Sequence, residues 1–184
     1  MTNFVKIRRA AATIRAGGIV AYPTEAVYGL GCDPDDADAV RRVLALKRRP
    51  ESAGVILIAA DLAQLSRWIA PTGVEADRLA TGDEGVTWVV TAADTAPDWV
   101  TGGRDTIAVR ITRYPVAAAL CRAAGTPIVS TSANRSGKAP TRDALSVRLA
   151  LGTEVDYVLS APTGGRERPS EIRDARTGRI LRAG

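Results

Sequence analysis

Apolar residues follow two different spacings along the chain, and these spacings predict alternating helices and strands. In the first segment, Val5, Ile7, Ala11 and Ile14 recur at near-helical intervals, as in an amphipathic helix. Short runs rich in Val and Ile, bounded by Gly, Pro or polar residues, are typical of buried strands. The predicted helices cover residues 3–16, 61–69, 114–124 and 141–151, with one more that is capped by Asp35 or Asp36 and ends at residues 47–49. The predicted strands cover residues 19–22, 55–59, 86–91, 106–111, 127–130, 155–159, 171–175 and 179–182.

The order of these elements predicts an α/β fold. Because strands and helices alternate and the last strands pair locally, we expect a twisted mixed sheet with a layer of helices on each face. Thr177 and Gly178 join the last two strands, which is typical of a hairpin. Residues 24–33 are expected to form a polar loop, and residues 92–105 are the most loop-like stretch. The length and the lack of internal repeats indicate a single domain, residues 1–184.

Composition limits the chemistry that the chain can perform. It contains no histidine, which excludes Ser-His and Cys-His nucleophiles and His-ligated metals. Cys32 and Cys121 form no CxxC motif, so we expect neither a disulfide framework nor a zinc site. No apolar run has the length of a membrane helix, and the first residues do not resemble a secretory signal. We therefore expect a cytoplasmic protein without a membrane partner.

Positive charge is concentrated in the second half of the chain. The net charge is +5, and residues 101–184 carry 14 Lys and Arg against 7 Asp and Glu. Such a basic half suits phosphate or nucleic-acid partners. The alternative is that an arginine-rich composition serves only solubility.

Two segments place polar residues directly after predicted strands. Residues 22–31 read YPTEAVYGLG, and residues 128–138 read IVSTSANRSGK. Ligands of open α/β sheets bind beyond the carboxyl ends of strands, where glycines let backbone amides approach a ligand closely. The hydroxyls and the amide suit the phosphates and sugar of a nucleotide, although a Walker-type loop is absent. The alternatives are that the glycines only make a turn and that the hydroxyls form a Ser/Thr turn network.

Two further segments supply cations. Residues 47–50 read KRRP, where Lys47 and Arg49 would grip phosphates, although cations at a helix C-terminus also stabilise the helix through its dipole. Residues 164–174 read GGRERPSEIRD, with Arg182 beyond them, and this tail is equally typical of a solvated hairpin. Together the four segments predict a cleft lined by hydroxyls and guanidiniums. Catalysis there would rest on positioning and charge stabilisation.

In this order, the four segments resemble those of the YrdC/TsaC family of threonylcarbamoyl-AMP synthases. The matching letters are YPTEAVYGLGCDP at 22–34, KxRP at 47–50, STSANxSG at 130–137, PSEIRDxxTG at 169–178 and LRxG at 181–184. The resemblance covers essentially the whole chain, whose length matches the short bacterial form of the family. It implies a twisted α/β sheet around a deep, basic, concave cleft.

The resemblance also implies a reaction. In this family L-threonine, bicarbonate or CO2, and ATP give L-threonylcarbamoyladenylate and pyrophosphate. A partner complex then transfers the threonylcarbamoyl group to the adenosine next to the anticodon of ANN-decoding tRNAs, and the sequence leaves open whether tRNA contacts this chain directly. Mg²⁺ is expected to bind through the ATP phosphates, and no residue of the chain is assigned as a metal ligand.

Site residues follow from the same resemblance. Lys47 and Arg49 are the expected catalytic residues, because they would offset charge that develops on the phosphates. The expected ATP-binding residues are Lys47, Arg49, Thr106, Ser132, Asn134 and Arg182. The expected threonine-binding residues are Thr24, Arg110, Ser130 and Ser170. An arginine at position 110 suits this role, since a guanidinium binds a carboxylate bidentately.

The chain departs from the family pattern in several places, two of which concern the presumed cleft. Residues 82–88 read GDEGVTW, where the family usually has PGPxT. Ala53 stands where a lysine or asparagine is common. Both changes concern the shape of the ATP site more than the class of reaction.

Two other functions compete with this one. An RNA-binding module of the same fold would suit the basic half, but it would need exposed stacking aromatics, and the chain has one Phe. Its activity would not depend on ATP. The second is the carbamoyl-adenylate chemistry of hydrogenase-maturation carbamoyltransferases. Those are long chains with zinc-finger and acylphosphatase parts, for which 184 residues leave no room.

Overall fold

A computed structural model describes residues 4–81 and 85–184. Its helices are α1 (Phe4–Arg15), α2 (Ala37–Leu46), α3 (Val74–Thr81), α4 (Asp98–Thr101), α5 (Pro115–Ala124) and α6 (Ala144–Leu151). Its strands are β1 (Val20–Pro23), β2 (Tyr28–Gly31), β3 (Ile56–Ala59), β4 (Val86–Thr91), β5 (Thr106–Ile111), β6 (Ile128–Ser132), β7 (Tyr157–Val158), β8 (Glu171–Asp174) and β9 (Ile180–Arg182). The first three residues of the divergent segment at 82–88 lie outside the described residues.

The nine strands of the described chain form one mixed sheet in the order β7-β1-β2-β6-β3-β5-β4-β8-β9. The pairs β1–β7, β3–β5 and β4–β8 are parallel, and the other neighbouring strands are antiparallel. The mixed sheet is confirmed, and so is the hairpin of β8 and β9 around Gly178.

Helices pack on both faces of this sheet, as expected. Successive strand residues point to opposite faces, so Leu57 belongs to one apolar cluster and Ile58 to the other. One cluster joins the sheet to α1 and α5, and the other joins it to α2, α3, α4 and α6. The thiols of Cys32 and Cys121 are buried and free, one in each cluster. No helix in the described ranges is long and apolar enough to cross a membrane.

Three predictions about individual elements are wrong: one concerns a strand, one a helix and one a helix cap. The expected loop 24–33 contains β2, whose glycines hide the usual strand signal. The expected helix 61–69 is only a 3-10 turn at Ala63–Leu65, because Ile69 forms a β-bridge with Ala92. Asp143, rather than Thr141, caps α6, since its side chain accepts a hydrogen bond from the Ser146 amide. The sequence pattern also missed α3, and it missed the single turn of α4 in the stretch expected to be most loop-like.

The glycines of β2 make room for the ring of Tyr22. A Cβ atom on Gly31 would lie 2.6 Å from the Val129 carbonyl oxygen and 2.8 Å from Cε1 of Tyr22. The Tyr22 ring crosses this space, and its Oη donates a 2.9 Å hydrogen bond to Oγ of Ser130 on β6. Burial raises the pKa of Tyr22 well above its usual value, which keeps the phenol protonated as a donor. The glycines of this motif therefore serve strand packing, not a turn.

Candidate active site

A cleft of about 390 Å³ opens on the face of the sheet that also carries α1 and α5. Strand residues nearer these helices, such as Ile58 and Ile128, are buried in the apolar cluster. Farther along these two strands, Ile56 and Ser130 line the cleft instead, and so does Arg110 of β5, which pairs with Ile58. The floor of the cleft is thus the part of this sheet face that the two helices leave open.

The lining of the cleft is rich in hydroxyls and arginines. Among its described residues are five arginines and one carboxylate, Glu25. The seven predicted site residues that line it are Thr24, Arg49, Arg110, Ser130, Ser132, Ser170 and Arg182. The other three, Lys47, Thr106 and Asn134, lie outside the lining. Such a surface favours an anionic ligand with many hydrogen-bonding groups.

The end of α2 separates the three residues of the basic run. Arg48 has a left-handed backbone with φ of 48°, and the amides of Arg48 and Arg49 donate to the carbonyls of Ala45 and Leu44. This is the Schellman pattern that ends many helices, usually with glycine at the left-handed position. The reversal leaves Lys47 buried, whereas Arg49 is exposed in the lining of the cleft.

Lys47 does not line the cleft, and its ammonium binds the carboxyl end of β6 instead. Its Nζ donates to the Ser132 carbonyl at 2.7 Å, the Asn134 carbonyl at 2.8 Å and Asn134 Oδ1 at 2.6 Å, and it lies 3.3 Å from Ser132 Oγ. Ser132 Oγ also donates to Asn134 Oδ1 at 2.6 Å. Burial, and then the charge of Arg49, lower the pKa of Lys47 to about 8. The structure therefore brings Lys47, Ser132 and Asn134 together, with Ser132 facing the cleft.

Thr106 lies apart from this group. It is the first residue of β5 and pairs with Thr91 of β4, four residues before Arg110. Its side chain therefore points to the same sheet face as Arg110, but beyond the end of the cleft.

Arg110 and Glu25 form a loose pair inside the cleft. The Arg110 side chain is 9% exposed, and its Nη2 lies 3.5 Å from Oε2 of Glu25. The second carboxylate oxygen, Oε1, accepts a 2.7 Å hydrogen bond from the Thr112 hydroxyl. Both Nε of Arg110 and Oε2 of Glu25 are buried without a hydrogen-bond partner. Buried polar atoms of this kind are rare in folded proteins and need an explanation.

Strand β4, the residue that precedes β8 and strand β9 contribute one wall of the cleft. The hydroxyls of Thr87 and Ser170 share a 2.9 Å hydrogen bond, and Nη2 of Arg182 donates to the Ser170 carbonyl at 3.0 Å. Burial, and then the charges of Arg49 and Arg110, lower the pKa of Arg182. Three arginines from different parts of the chain therefore act on one another electrostatically in the same cleft.

The opposite wall is the loop of residues 161–169, which lies on the backbone of the Thr24–Glu25 segment. The Gly164 amide donates to the Thr24 carbonyl and the Arg166 amide to the Glu25 carbonyl, at 3.0 and 2.9 Å. A Cβ atom on Gly164 would lie 2.9 Å from the backbone of Glu25, so glycine permits this close contact. Tyr114 also holds the loop, since its hydroxyl donates to the Pro162 carbonyl.

Sequence analysis assigned no role to several lining residues. They are Glu25, Thr87, Arg166 and Arg168. Both arginines lie in the basic tail 164–174, so the charge of that tail was the available signal. Behind the loop a second cavity of about 230 Å³ adjoins the cleft, and Glu25 and Arg166 line both. In the described parts of the chain, no cluster of three acidic or cysteine side chains is arranged to hold a metal ion.

Comparison with known proteins identifies the family of this chain. The model of the Sua5/YciO/YrdC family, described as telomere recombination, matches residues 12–184. The chain belongs to this family. A threonylcarbamoyl-AMP synthase of Halorhodospira halophila is 55% identical over 183 residues, which cover 98% of this chain and 96% of that protein. The family resemblance drawn from the sequence is thus confirmed.

Solved structures share the fold of this Sua5/YciO/YrdC domain. Sua5 of P. abyssi complexed with L-threonine has a TM-score of 0.86 and 33% identity over 94% of this chain. The chain spans 51% of that Sua5 chain, about half of its length. YciO of E. coli has a TM-score of 0.86 and 26% identity, and the match covers 99% of this chain and 90% of YciO.

One departure from the usual Sua5/YciO/YrdC pattern has a structural consequence. The divergent segment 82–88 contains Gly85, whose φ is +82°, a value that proline cannot adopt. A Cβ atom there would lie 1.5 Å from Nη1 of Arg166. The glycine therefore lets the Arg166 guanidinium lie against the backbone of Gly85, where the cleft and the second cavity meet. Ala53, the other departure, ends a 3-10 turn. Its carbonyl accepts hydrogen bonds from Arg104 at 2.8 Å and from Arg49 at 3.5 Å, and the Gly54 carbonyl also accepts from Arg49 at 3.5 Å.

Proposed function

We propose that this protein is a threonylcarbamoyl-AMP synthase, which makes L-threonylcarbamoyladenylate and pyrophosphate from L-threonine, bicarbonate or CO2, and ATP. The observation that carries the proposal is a single cleft whose lining combines arginines for phosphates with a buried, hydrogen-bonding pocket around Arg110. The relatives that are about half identical over nearly the whole chain have this activity in their names.

ATP would bind at the carboxyl end of β6 and against the arginines beside it. Arg49 and Arg182 offer guanidinium forks to the phosphates. Ser132 donates its proton to Asn134 Oδ1, so its oxygen would accept a hydrogen bond from a sugar hydroxyl of ATP. Lys47 and Asn134 lie outside the lining. They would fix the position of Ser132, and the ammonium of Lys47 would add positive charge near the phosphates. Thr106 has no such place, because it lies beyond the lining, and we leave it out of the proposed ATP site.

Threonine would bind deeper in the cleft, where Arg110 would take its carboxylate. Thr24 is suited to the hydroxyl of threonine, because its own proton is donated to the Val27 carbonyl at 2.7 Å and its oxygen still accepts. Ser130 has the reverse arrangement, since its oxygen accepts from Tyr22 and its proton is available to a ligand. Ser170 lies on the facing wall.

The reaction then follows from charge and positioning. The amine of threonine forms a carbamate with CO2, and a carbamate oxygen attacks the α-phosphorus of ATP in line while pyrophosphate leaves. Arg49, together with the charge of Lys47, would offset the charge that develops on the phosphates. Mg²⁺ would bind the phosphates of ATP, since the described lining offers hydroxyls and one carboxylate. The adenylate would pass in the cytoplasm to a complex that transfers the threonylcarbamoyl group to tRNA.

Pyrophosphate release tests this proposal. With purified protein, ATP and Mg²⁺, we expect release only when both L-threonine and bicarbonate are present. Arg49→Ala should lower the rate at least about 30-fold, as expected for a lost charge-assisted contact, whereas Arg41→Ala on the exposed side of α2 should not change it. Background release, combined with tRNA binding that weakens steeply with salt, would instead support the RNA-binding alternative.

A further inference from the structure

The loose pair of Glu25 and Arg110 is unusual because both partners keep a buried polar atom without a hydrogen bond. The atoms concerned are Glu25 Oε2 and Arg110 Nε, and the other buried atoms without a partner in the described residues are the indole nitrogens of Trp68 and Trp88. The side chains of Glu25 and Arg110 both line the cleft. The guanidinium and the carboxylate approach only to 3.5 Å, longer than a normal charged hydrogen bond. Each charge therefore has hydrogen-bonding capacity that a ligand can use.

The chemistry of the two atoms defines that ligand. Arg110 Nε is a donor on a cation, and an anionic acceptor binds it most strongly. Glu25 Oε2 is an acceptor on an anion, and a cationic donor binds it most strongly. A zwitterion that carries both groups a few bonds apart satisfies the two atoms at once, which removes the penalty of leaving them unpaired. An α-amino acid is such a ligand.

Glu25 is also held in place for this role. Its Oε1 accepts from the Thr112 hydroxyl at 2.7 Å, and its backbone carbonyl accepts from the Arg166 amide at 2.9 Å. The side chain is 17% exposed, so little water competes for Oε2. A carboxylate fixed in this way binds an ammonium with less loss of side-chain entropy than a mobile one.

We propose that Glu25 binds the α-ammonium group of the amino-acid substrate through Oε2, opposite the carboxylate that Arg110 takes. This inference rests on the proposed function and makes Glu25 a residue that determines substrate specificity. The ammonium would lose a proton to solvent before its nitrogen forms the new N–C bond. That nitrogen would then lie at Glu25, where the cleft meets the second cavity. Ligands that lack an α-amine would lose this contact.

The test compares two ligands in two proteins. L-Threonine and 3-hydroxybutyrate share the carboxylate and the β-hydroxyl, but only threonine has the ammonium. Calorimetry in the presence of a non-hydrolysable ATP analogue should show that the wild-type protein binds threonine at least tenfold more tightly. In Glu25→Gln, which keeps the shape of the side chain, threonine should bind about 30-fold more weakly while 3-hydroxybutyrate changes less than threefold. The preference for the amine should then disappear.

Controls separate this proposal from the function on which it rests. Glu167→Gln, which changes an exposed residue of the 161–169 loop, should leave the binding of both ligands unchanged. Thr112→Val, which removes the hydrogen bond that holds Glu25, should weaken threonine binding to an intermediate degree. An equal loss for both ligands in Glu25→Gln, or no loss for threonine, would overturn the role of Glu25 alone. Failure of the wild-type protein to bind threonine would overturn the proposed function as well.

Discussion

The Lys47→Met variant is expected to unfold at a clearly lower urea concentration than the wild-type protein, with about 3 kcal/mol less stability. Methionine has a similar length, but it donates no hydrogen bond. The Ser132 carbonyl, the Asn134 carbonyl and Asn134 Oδ1 would each lose a donor, and an unsatisfied buried acceptor costs about 1–3 kcal/mol. Removing the buried charge offsets part of this loss. Affinity for ATP should fall together with stability, because the end of β6 would no longer be fixed.

Lys6→Met is the matched control for this prediction. Lys6 is exposed on α1, and its substitution should change stability by less than about 0.5 kcal/mol. Urea unfolding followed by circular dichroism gives both values. If Lys47→Met unfolded like the wild-type protein but bound ATP more than tenfold more weakly, Lys47 would act on the nucleotide directly, and the supporting role argued from its hydrogen bonds would be wrong.

The second large effect is expected for Arg110→Lys, which should raise the KM for threonine about 30-fold. Lysine keeps the positive charge and the pairing with Glu25, so a buried carboxylate is not left unpaired. It loses the planar fork that binds a carboxylate through two hydrogen bonds, a difference of about 2 kcal/mol. Binding of ATP should change little, since Arg110 lies at the threonine end of the proposed site.

Steady-state measurement of pyrophosphate release, with threonine as the varied substrate, checks this prediction. Arg122→Lys is the control, because Arg122 is exposed on α5 and outside the lining of the cleft. A KM for threonine that is unchanged in Arg110→Lys would show that the carboxylate binds elsewhere. An equal loss of affinity for ATP and threonine would indicate that the whole cleft had changed shape.

Much of the fold follows from local patterns in the sequence. The strands β4 and β5 are predicted to the residue, because alternating Val, Ile and Thr mark both of them. Asp36 is one of two predicted caps, and its side chain accepts from the Ala39 amide. By contrast, β2 carries glycines at two of its four positions, and the Tyr22 ring, together with the Val129 carbonyl at Gly31, explains them. Such a reason depends on contacts between strands, which a local pattern does not contain.

The site was predictable to a similar degree. The order of the motifs indicated which residues lie together in the fold. Of the ten predicted site residues, seven line one cleft. The sequence did not show that Lys47 turns inward, because this depends on the left-handed conformation of Arg48. Nor did it show the pairing of Glu25 with Arg110, which is far away along the chain. Pairing of charges across a cleft is a property of the tertiary structure.

Isotope labelling of the product tests the central claim most directly. The claim is that the protein combines threonine, the carbon of bicarbonate or CO2, and the AMP part of ATP in one cleft. The protein would be mixed with ATP, ¹⁵N-threonine and ¹³C-bicarbonate, and the nucleotide product examined at once by mass spectrometry. The account predicts an adenylate that carries both labels, with fragmentation that places the ¹³C carbon between the nitrogen and the phosphate. An adenylate that contains threonine but no ¹³C would mean that the carboxylate of threonine itself is activated, which would contradict the proposed reaction.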